Sequence, residues 1–243
     1  MSYGYYQLPS GRVAAIGNDA EDECDFPPIT NALTEPNGLL AIGGDLSPSR
    51  LLSAYQQGIF PWFNEGEPVM WWSPNPRMVL FPAELKISDS LRKRLKKTDY
   101  EVRFNTAFRE VMQNCAQTNR NKLKNLEQPE QSETWISNQI IEGYCALHQL
   151  GYAHSAETWI NGELVGGLYG VKIGKMFYGE SMFHHVSDAS KIAFVHMVQH
   201  MQRQGVAMID CQMKTAHLAS LGAREIKREE FMHSLNKLIH LSL

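Results

Sequence analysis

The chain of 243 residues carries only four cysteines, Cys24, Cys115, Cys145 and Cys211. They are scattered, and with no CxxC pair neither a zinc site nor a dithiol redox centre is indicated. Long apolar runs are missing too, so nothing in the sequence has the length needed to span a bilayer. The first residues, "MSYGYYQLPSGR", lack the charged start and apolar stretch of a secretory leader. The expectation is a cytoplasmic protein with reduced thiols, no metal and no membrane partner. Net charge is small as well, −3 from 23 basic and 26 acidic residues. What remains is an ordinary globular composition, 43% hydrophobic and 20% charged, long enough for one large domain or two modest ones around a sizeable core.

Two stretches depart from that average. "LRKRLKK", residues 91 to 97, places five cations (Arg92, Lys93, Arg94, Lys96 and Lys97) in seven positions. A run of this kind is either a solvated helix face or a phosphate-binding stripe. "GIFPWFNEGEPVMWWSPNPR", residues 58 to 77, holds Trp62, Trp71 and Trp72 among four prolines. Proline lacks the donor that a helix interior or a central strand requires, so this segment reads as turns and extended chain. Large aromatic rings on such a segment form either a plug between layers or a platform on which something flat stacks.

Residues 1 to 35 read as irregular. "DLSPSRLLSAYQQG" is a short helix with Ser47 as N-cap, Pro48 at its first position and Gly58 just past its end. "RMVLFPAELKIS" reads as a strand and the basic run as a helix after it, with a domain boundary near residue 77. The polar stretch 119 to 133 reads as a mobile loop. Ile136, Ile140, Ile141, Tyr144 and Leu147 then recur at helical spacing between a Ser137 cap and a Gly151 stop. Asn161-Gly162 and Gly174 mark the turns of an antiparallel meander. "DASKIAFVHMVQHMQRQG" is a helix starting from Ser187 or Asp188, "VAMIDCQM" a buried strand, and "TAHLASLGAREI" a short helix followed by a strand. No internal repeat is present. The order from residue 80 onward predicts an α/β (α+β) three-layer sandwich, which by analogy is similar to the GCN5-related N-acetyltransferase fold. Such enzymes hold a pyrophosphate on a glycine-rich turn at the N-terminus of the helix after the meander. Here that turn reads "HHVSDASK", with no glycine and one carboxylate, which predicts a different donor.

Among groups able to do chemistry, His196 and His200 have metal-ligand spacing, but the Glu of a zinc-protease helix is missing after the first. His184 and His185 are loop neighbours that point in different directions. Glu180, at the end of an apolar strand, and Asp210, within one, are each flanked by residues expected in the core. Carboxylates in such places are paired or functional. Gln212 lies two residues beyond Asp210, on the same face of an extended strand. Leu168, Met182, Phe194, Met197 and Ile209 are core positions that could equally line an apolar pocket.

"EPNGLLAIGGDLSPSRLLSAYQQGIFPWF", "MWWSPNPR", "TWI", "GGLYGV", "FYGESMF", "ASK", "MIDCQ" and "HLASLGAREI" together resemble the leucyl/phenylalanyl-tRNA–protein transferase family. The resemblance runs from about residue 25 to about residue 235, with an apparent insertion at 119 to 133 and a C-terminus that stops soon after the last matched strand. It implies transfer of Leu or Phe, and less readily Met, from charged tRNA to the α-amine of proteins beginning with Arg or Lys, which marks them for degradation. It also implies an N-terminal domain, residues 1 to 77, that supplies the platform for the tRNA end, joined to an acetyltransferase-like catalytic domain, residues 78 to 243, with no cofactor. It places Trp62 and Trp135 around the terminal adenosine and Asp210, Gln212 and Glu180 at the reaction centre. Trp71 and Trp72 are expected to pack between the domains.

An aspartate with a pKa of roughly 4 is a weak base, whereas an α-amine near 8 is already partly neutral at pH 7. Asp210 is therefore expected to orient the amine, and Glu180 to contact an amino group of one substrate. Leu168, Met182, Phe194, Met197 and Ile209 are expected to surround the transferred side chain, and the basic run to grip the tRNA backbone. The competing classes are a coenzyme A-dependent N-acyltransferase on the same fold and a non-catalytic RNA-binding module.

Overall fold

A computed structural model describes residues 4–17, 26–124 and 136–240. The chain opens with a hairpin, β1 (Gly4–Leu8) and β2 (Gly11–Ile16), where an irregular segment was expected. Gly4 to Gln7 are exposed and Leu8 half-buried, so no buried apolar alternation announces the first strand. The hairpin joins β3 (Leu39–Gly43), and the segment between residues 58 and 77 returns as two short strands, β4 (Phe60–Pro61) and β5 (Met70–Trp72), giving a sheet of order β1-β2-β3-β5-β4. Between β3 and β4 lies α1 (Pro48–Gln56), begun by Ser47, whose hydroxyl accepts from the Arg50 N–H, with Pro48 at its first position.

The second sheet starts at β6 (Arg77–Leu80). The basic run begins in α2 (Asp89–Leu95), capped by Ser88, and ends just past it at Lys96 and Lys97. Two elements that the sequence reading did not contain come next, β7 (Glu101–Phe104) and α3 (Phe108–Lys124). Phe108, Val111, Met112, Cys115 and Ala116 are buried at helical spacing, and this stripe carries the helix into residues 119 to 124. That part of the expected loop is helical, and residues 125 to 133 lie outside the described residues.

Then follow α4 (Asn138–Gln149), capped by Ser137, and the meander β8 (Ala153–Ile160), β9 (Glu163–Ile173) and β10 (Met176–His184). Asn161 and Gly162 both take positive φ at the first turn, as a tight hairpin of this hand requires. The chain continues through α5 (Ala189–Arg203), β11 (Met208–Asp210), α6 (Ala216–Ser220), β12 (Arg224–Ile226) and a further unexpected helix, α7 (Arg228–Leu238). The strand order is β12-β6-β11-β10-β9-β8-β7.

This sheet is covered on both faces, as three layers require. Tyr169, Val171, Met176 and Tyr178 share one core with Phe108 and Val111 of α3 and Ile140 and Tyr144 of α4. Leu168, Phe177 and Ile209 point the other way, into a core with Ala193, Phe194 and Met197 of α5. The large sheet makes the fold α/β, as the element order predicted, and the small N-terminal sheet is an addition to it. The first core also takes in Leu51, Tyr55 and Trp71. Helix α7 seals it by packing Phe231 and Met232 against Gly58, where a Cβ would come within 3.0 and 2.6 Å of them. Gly58 has φ +73°, so the end of α1 needs glycine on both counts.

Candidate active site

Strands β10 and β11 run parallel only from Met176↔Met208 to Tyr178↔Asp210. Beyond that register β10 continues to His184 while β11 ends at Asp210, so the two segments diverge and open a cleft in the sheet. At the same point β10 carries a bulge, with Gly179 opposite Gly170 and Ser181 opposite Tyr169. Glu180 is the extra residue, and bulges commonly re-aim a side chain in this way. The shift also explains how Phe177 and Met182, five residues apart, both pack against the α5 core. Glu180 therefore sits in mid-strand at a bulge, not at a strand end as expected.

A cavity of about 670 Å³ occupies the cleft. All five residues of the expected apolar pocket, Leu168, Met182, Phe194, Met197 and Ile209, line it. Trp62 stands at its edge, 39% exposed, beside Phe60 and Pro61. The Trp72 indole N–H donates to the Trp62 carbonyl at 2.6 Å and its ring meets Trp62 edge-on at 5.6 Å, so Trp72 supports Trp62. Trp71 is fully buried, donates to Gly43 O and packs on Phe26. It belongs to the continuous core that the small sheet shares with the large one. Trp135 lies outside the described residues.

Glu180 and Gln212 line the same cavity. The Tyr55 hydroxyl donates to Glu180 Oε1 at 2.7 Å, the Tyr144 hydroxyl donates to Oε2 at 3.3 Å, and Gln212 Nε2 donates to Oε1 at 3.2 Å. The Tyr55 and Tyr144 hydroxyls also contact each other, so their two protons are shared among these three contacts. Desolvation in this setting pushes the Glu180 carboxyl up to about 7, Asp210 adding in the same direction against the tyrosine hydrogen bonds and Arg77. Both tyrosines are held well above their ordinary range, first by burial and then by the Glu180 charge, so they remain protonated donors.

Asp210 is placed differently. It is fully buried and its neighbours Ile209 and Cys211 line the cavity while it does not. Its carboxylate takes two hydrogen bonds from Arg77, Nε at 2.8 Å and Nη2 at 2.6 Å, and Oδ1 also accepts from the Gln212 backbone N–H at 2.9 Å. Gln212 has left the strand, with φ +55°, so the expected shared face of a continuous strand is replaced by a turn that Asp210 itself closes.

The basic run lies on α2 and the two residues after it, and does not line the cavity. Arg92 is bonded to Asp89 and Arg94 to Asp99, while Lys93, Lys96 and Lys97 are exposed. His184 lines the cavity and meets Ser190, whereas His185 turns away to Asn114. His196 packs edge-on to Tyr100 and His200 stacks on Phe104. Among the described residues there is no group of three or more metal-ligating side chains, and no helix long and apolar enough to cross a membrane.

Sequence reasoning missed Tyr55, Tyr144 and Arg77 at this site. Tyr144 fits an apolar helical stripe and Tyr55 an apolar position of α1, and their hydroxyls become meaningful only once α1 and α4 meet at β10. Arg77 stood inside a quoted motif with no sign that its partner would be 133 residues away.

A parallel-strand cleft after a meander and a helix, with an apolar pocket and a carboxylate of raised pKa on its wall, is a setting suited to holding an acyl group beside an acid–base side chain. The model for the leucyl/phenylalanyl-tRNA protein transferase family matches residues 79–236, and the model for that family's N-terminal domain matches residues 44–75. A leucyl/phenylalanyl-tRNA–protein transferase of Nitrosospira multiformis is 61% identical over 215 residues, 88% of this chain and 89% of the relative. One from Nitrosomonas eutropha is 62% identical over 213 residues, 88% and 87% of the two chains. The chain belongs to the leucyl/phenylalanyl-tRNA–protein transferase family, and its reaction is aminoacyl transfer from tRNA to protein. Among solved structures, the PaiA N-acetyltransferase of Thermoplasma acidophilum with coenzyme A is 13% identical over 44% of this chain and 74% of that one, with TM-score 0.35. At that score the likeness bears on neither substrate nor cofactor.

Proposed function

We propose that the chain moves leucine or phenylalanine, and methionine less readily, from charged tRNA to the α-amine of proteins that begin with Arg or Lys, in the cytoplasm, marking them for degradation. The observation that carries this reading is a single cavity in which an apolar pocket, a stacking ring and a carboxylate–amide pair meet. The transferred side chain occupies the space between Leu168, Met182, Phe194, Met197 and Ile209, where the two methionines adapt to either shape. The terminal adenosine stacks on Trp62, with Trp135 as its second ring; unpaired bases gain roughly 1–3 kcal/mol each from such faces. Residues 1 to 77 form a domain that contributes Trp62 and Tyr55, and residues 78 to 243 the remaining groups.

The ester is already activated, so the protein's task is to hold an amine against its carbonyl carbon. The new C–N bond forms as the bond from carbon to the ribose oxygen breaks. One proton leaves the nitrogen and one joins the ribose oxygen. Glu180 is the group on the wall that can take and return this proton, since its carboxyl is held near 7 and an effective base has a pKa close to the working pH. Tyr55 and Tyr144 fix its orientation. Gln212, holding Glu180 through Nε2, offers its Oε1 to the incoming amine. The buried Asp210 acts on Gln212 and not on the amine, which revises the role that the sequence suggested.

Incubation with labelled Leu-tRNA and a protein bearing N-terminal Arg tests the reading. Transfer of label to the N-terminus, abolished by prior ribonuclease treatment, supports it. Acyl transfer from acetyl-CoA, with none from Leu-tRNA, overturns it.

A further inference from the structure

We infer that Arg77, clamped between Phe60 and Phe231, is the positioning residue that sets Gln212 and Glu180 for transfer, and that α7 is thereby part of the active site's support. The inference rests on the function proposed above. Arg77 is fully buried. Its guanidinium carbon lies 4.7 Å from the Phe60 ring centroid and 4.7 Å from that of Phe231, one ring from β4 and one from α7. In that slot the planar group has little freedom to rotate, and its edge meets the Asp210 carboxylate through two hydrogen bonds, at 2.8 and 2.6 Å. Asp210 accepts the Gln212 N–H at 2.9 Å, Met78 N–H donates to the Gln212 carbonyl at 3.1 Å, and Gln212 Nε2 reaches Glu180 at 3.2 Å. Gln212 is held with φ +55°, a conformation that non-glycine residues keep only when neighbours impose it.

The chain of contacts therefore runs Phe231, Arg77, Asp210, Gln212, Glu180, and each link is a directional one. A merely structural ion pair would need no flat slot, because a lysine at this place would neutralise Asp210 equally well. A lysine cannot make the two-pronged contact or fill the space between two rings. The arrangement ties the C-terminal helix, which lines no part of the cavity, to the geometry of the reacting pair.

The test uses the full chain and the variants Arg77→Lys and Phe231→Leu, measured by single-turnover transfer from Leu-tRNA and by the side-chain amide resonance of Gln212. Misplacement of a reacting group by about 1 Å can cost a hundredfold, so Arg77→Lys should lower the transfer rate by roughly ten- to a hundredfold while the KM for Leu-tRNA stays within about threefold. Phe231→Leu should lower the rate less, in the same direction. Both should shift the Gln212 amide resonance, and neither should slow transfer further in an Asp210→Asn background, because residues in one chain of contacts are not additive. If Arg77→Lys does not fold, Phe231→Leu carries the same test. A folded variant with the wild-type rate and an unmoved Gln212 resonance overturns the inference, as does a rate loss that adds in full to that of Asp210→Asn. Wild-type protein that transfers nothing would instead sink the proposed function, and the Gln212 resonance would still decide whether Arg77 positions it.

Discussion

Tyr55 donates its hydroxyl to Glu180 across 2.7 Å, joining a helix of the small N-terminal part to the bulge in β10. Tyr178 reinforces the junction by donating to the Tyr55 carbonyl at 2.9 Å. The carboxylate that faces the cavity is thus oriented by a residue from the other sheet's side of the molecule. The site is complete only when residues before and after 77 are packed together.

Trp62→Ala is expected to weaken binding of Leu-tRNA by roughly 1–3 kcal/mol, the range for one lost stacked base. The melting temperature should hardly move, since the ring is 39% exposed and the Trp72 hydrogen bond goes to the Trp62 backbone. Filter binding together with a thermal melt checks both. Normal tRNA affinity with an early melt would make Trp62 a packing residue.

The basic run is expected to give the tRNA complex part of its salt dependence, and the structure apportions the effect. Arg92 and Arg94 are already engaged with Asp89 and Asp99. The exposed Lys93, Lys96 and Lys97 should dominate, so replacing these three by glutamine should reduce the slope of log affinity against log salt by about 2–3. Replacing Arg92 and Arg94 should change it less. An unchanged slope in the triple variant would return α2 to a solvated face.

Met182→Ala should slow leucine transfer more than phenylalanine transfer, because the larger ring still reaches the opposite wall of the widened pocket. Competition between Leu-tRNA and Phe-tRNA in one reaction reads the ratio directly. Equal losses would remove Met182 from the pocket.

Much of this site was legible in the residues. The caps at Ser47 and Ser137, the Asn161-Gly162 turn and the apolar strands are local signals, and the structure keeps them. Of the five pocket residues, Leu168, Met182 and Ile209 lie on β9, β10 and β11 near the polar ones, and Phe194 and Met197 belong to the apolar stripe of α5. Other features are not written locally. The bulge at Glu180 is a property of the pairing with β9, not of "FYGESMF" itself. Whether Asp210 faces a cavity or an arginine is decided by β6 pairing with β11. The exposed strand Gly4–Leu8 has no buried face to give it a period, and α3 and α7 bury stripes that the polar residues around them obscure.

Glu180 and Asp210 also separate by pH and stability. The folded Glu180 carboxyl titrates near 7, above its ordinary value, so the folded state binds a proton that the unfolded state has released between those two values. The stability from this group is complete below the unfolded pKa and is lost as pH rises through the folded one, near 7, and Glu180→Gln should flatten that part of the melting curve. Asp210→Asn breaks a fully buried ion pair, and variants of that kind typically lose about 3–5 kcal/mol. It should therefore lower stability and rate together.

The most direct measurement of the account is the single-turnover rate of transfer from Leu-tRNA to a protein with N-terminal Arg, followed from pH 5.5 to 9 in wild-type protein and in Glu180→Gln. As the proton acceptor, Glu180 should give the wild type a limb that rises with pH near 7, because the carboxyl must be ionised to accept. In Glu180→Gln the rate should fall and that limb should vanish, leaving only the rise set by the acceptor amine near 8. A Glu180→Gln protein that transfers at the wild-type rate, or that keeps the limb near 7, would contradict the role assigned to Glu180.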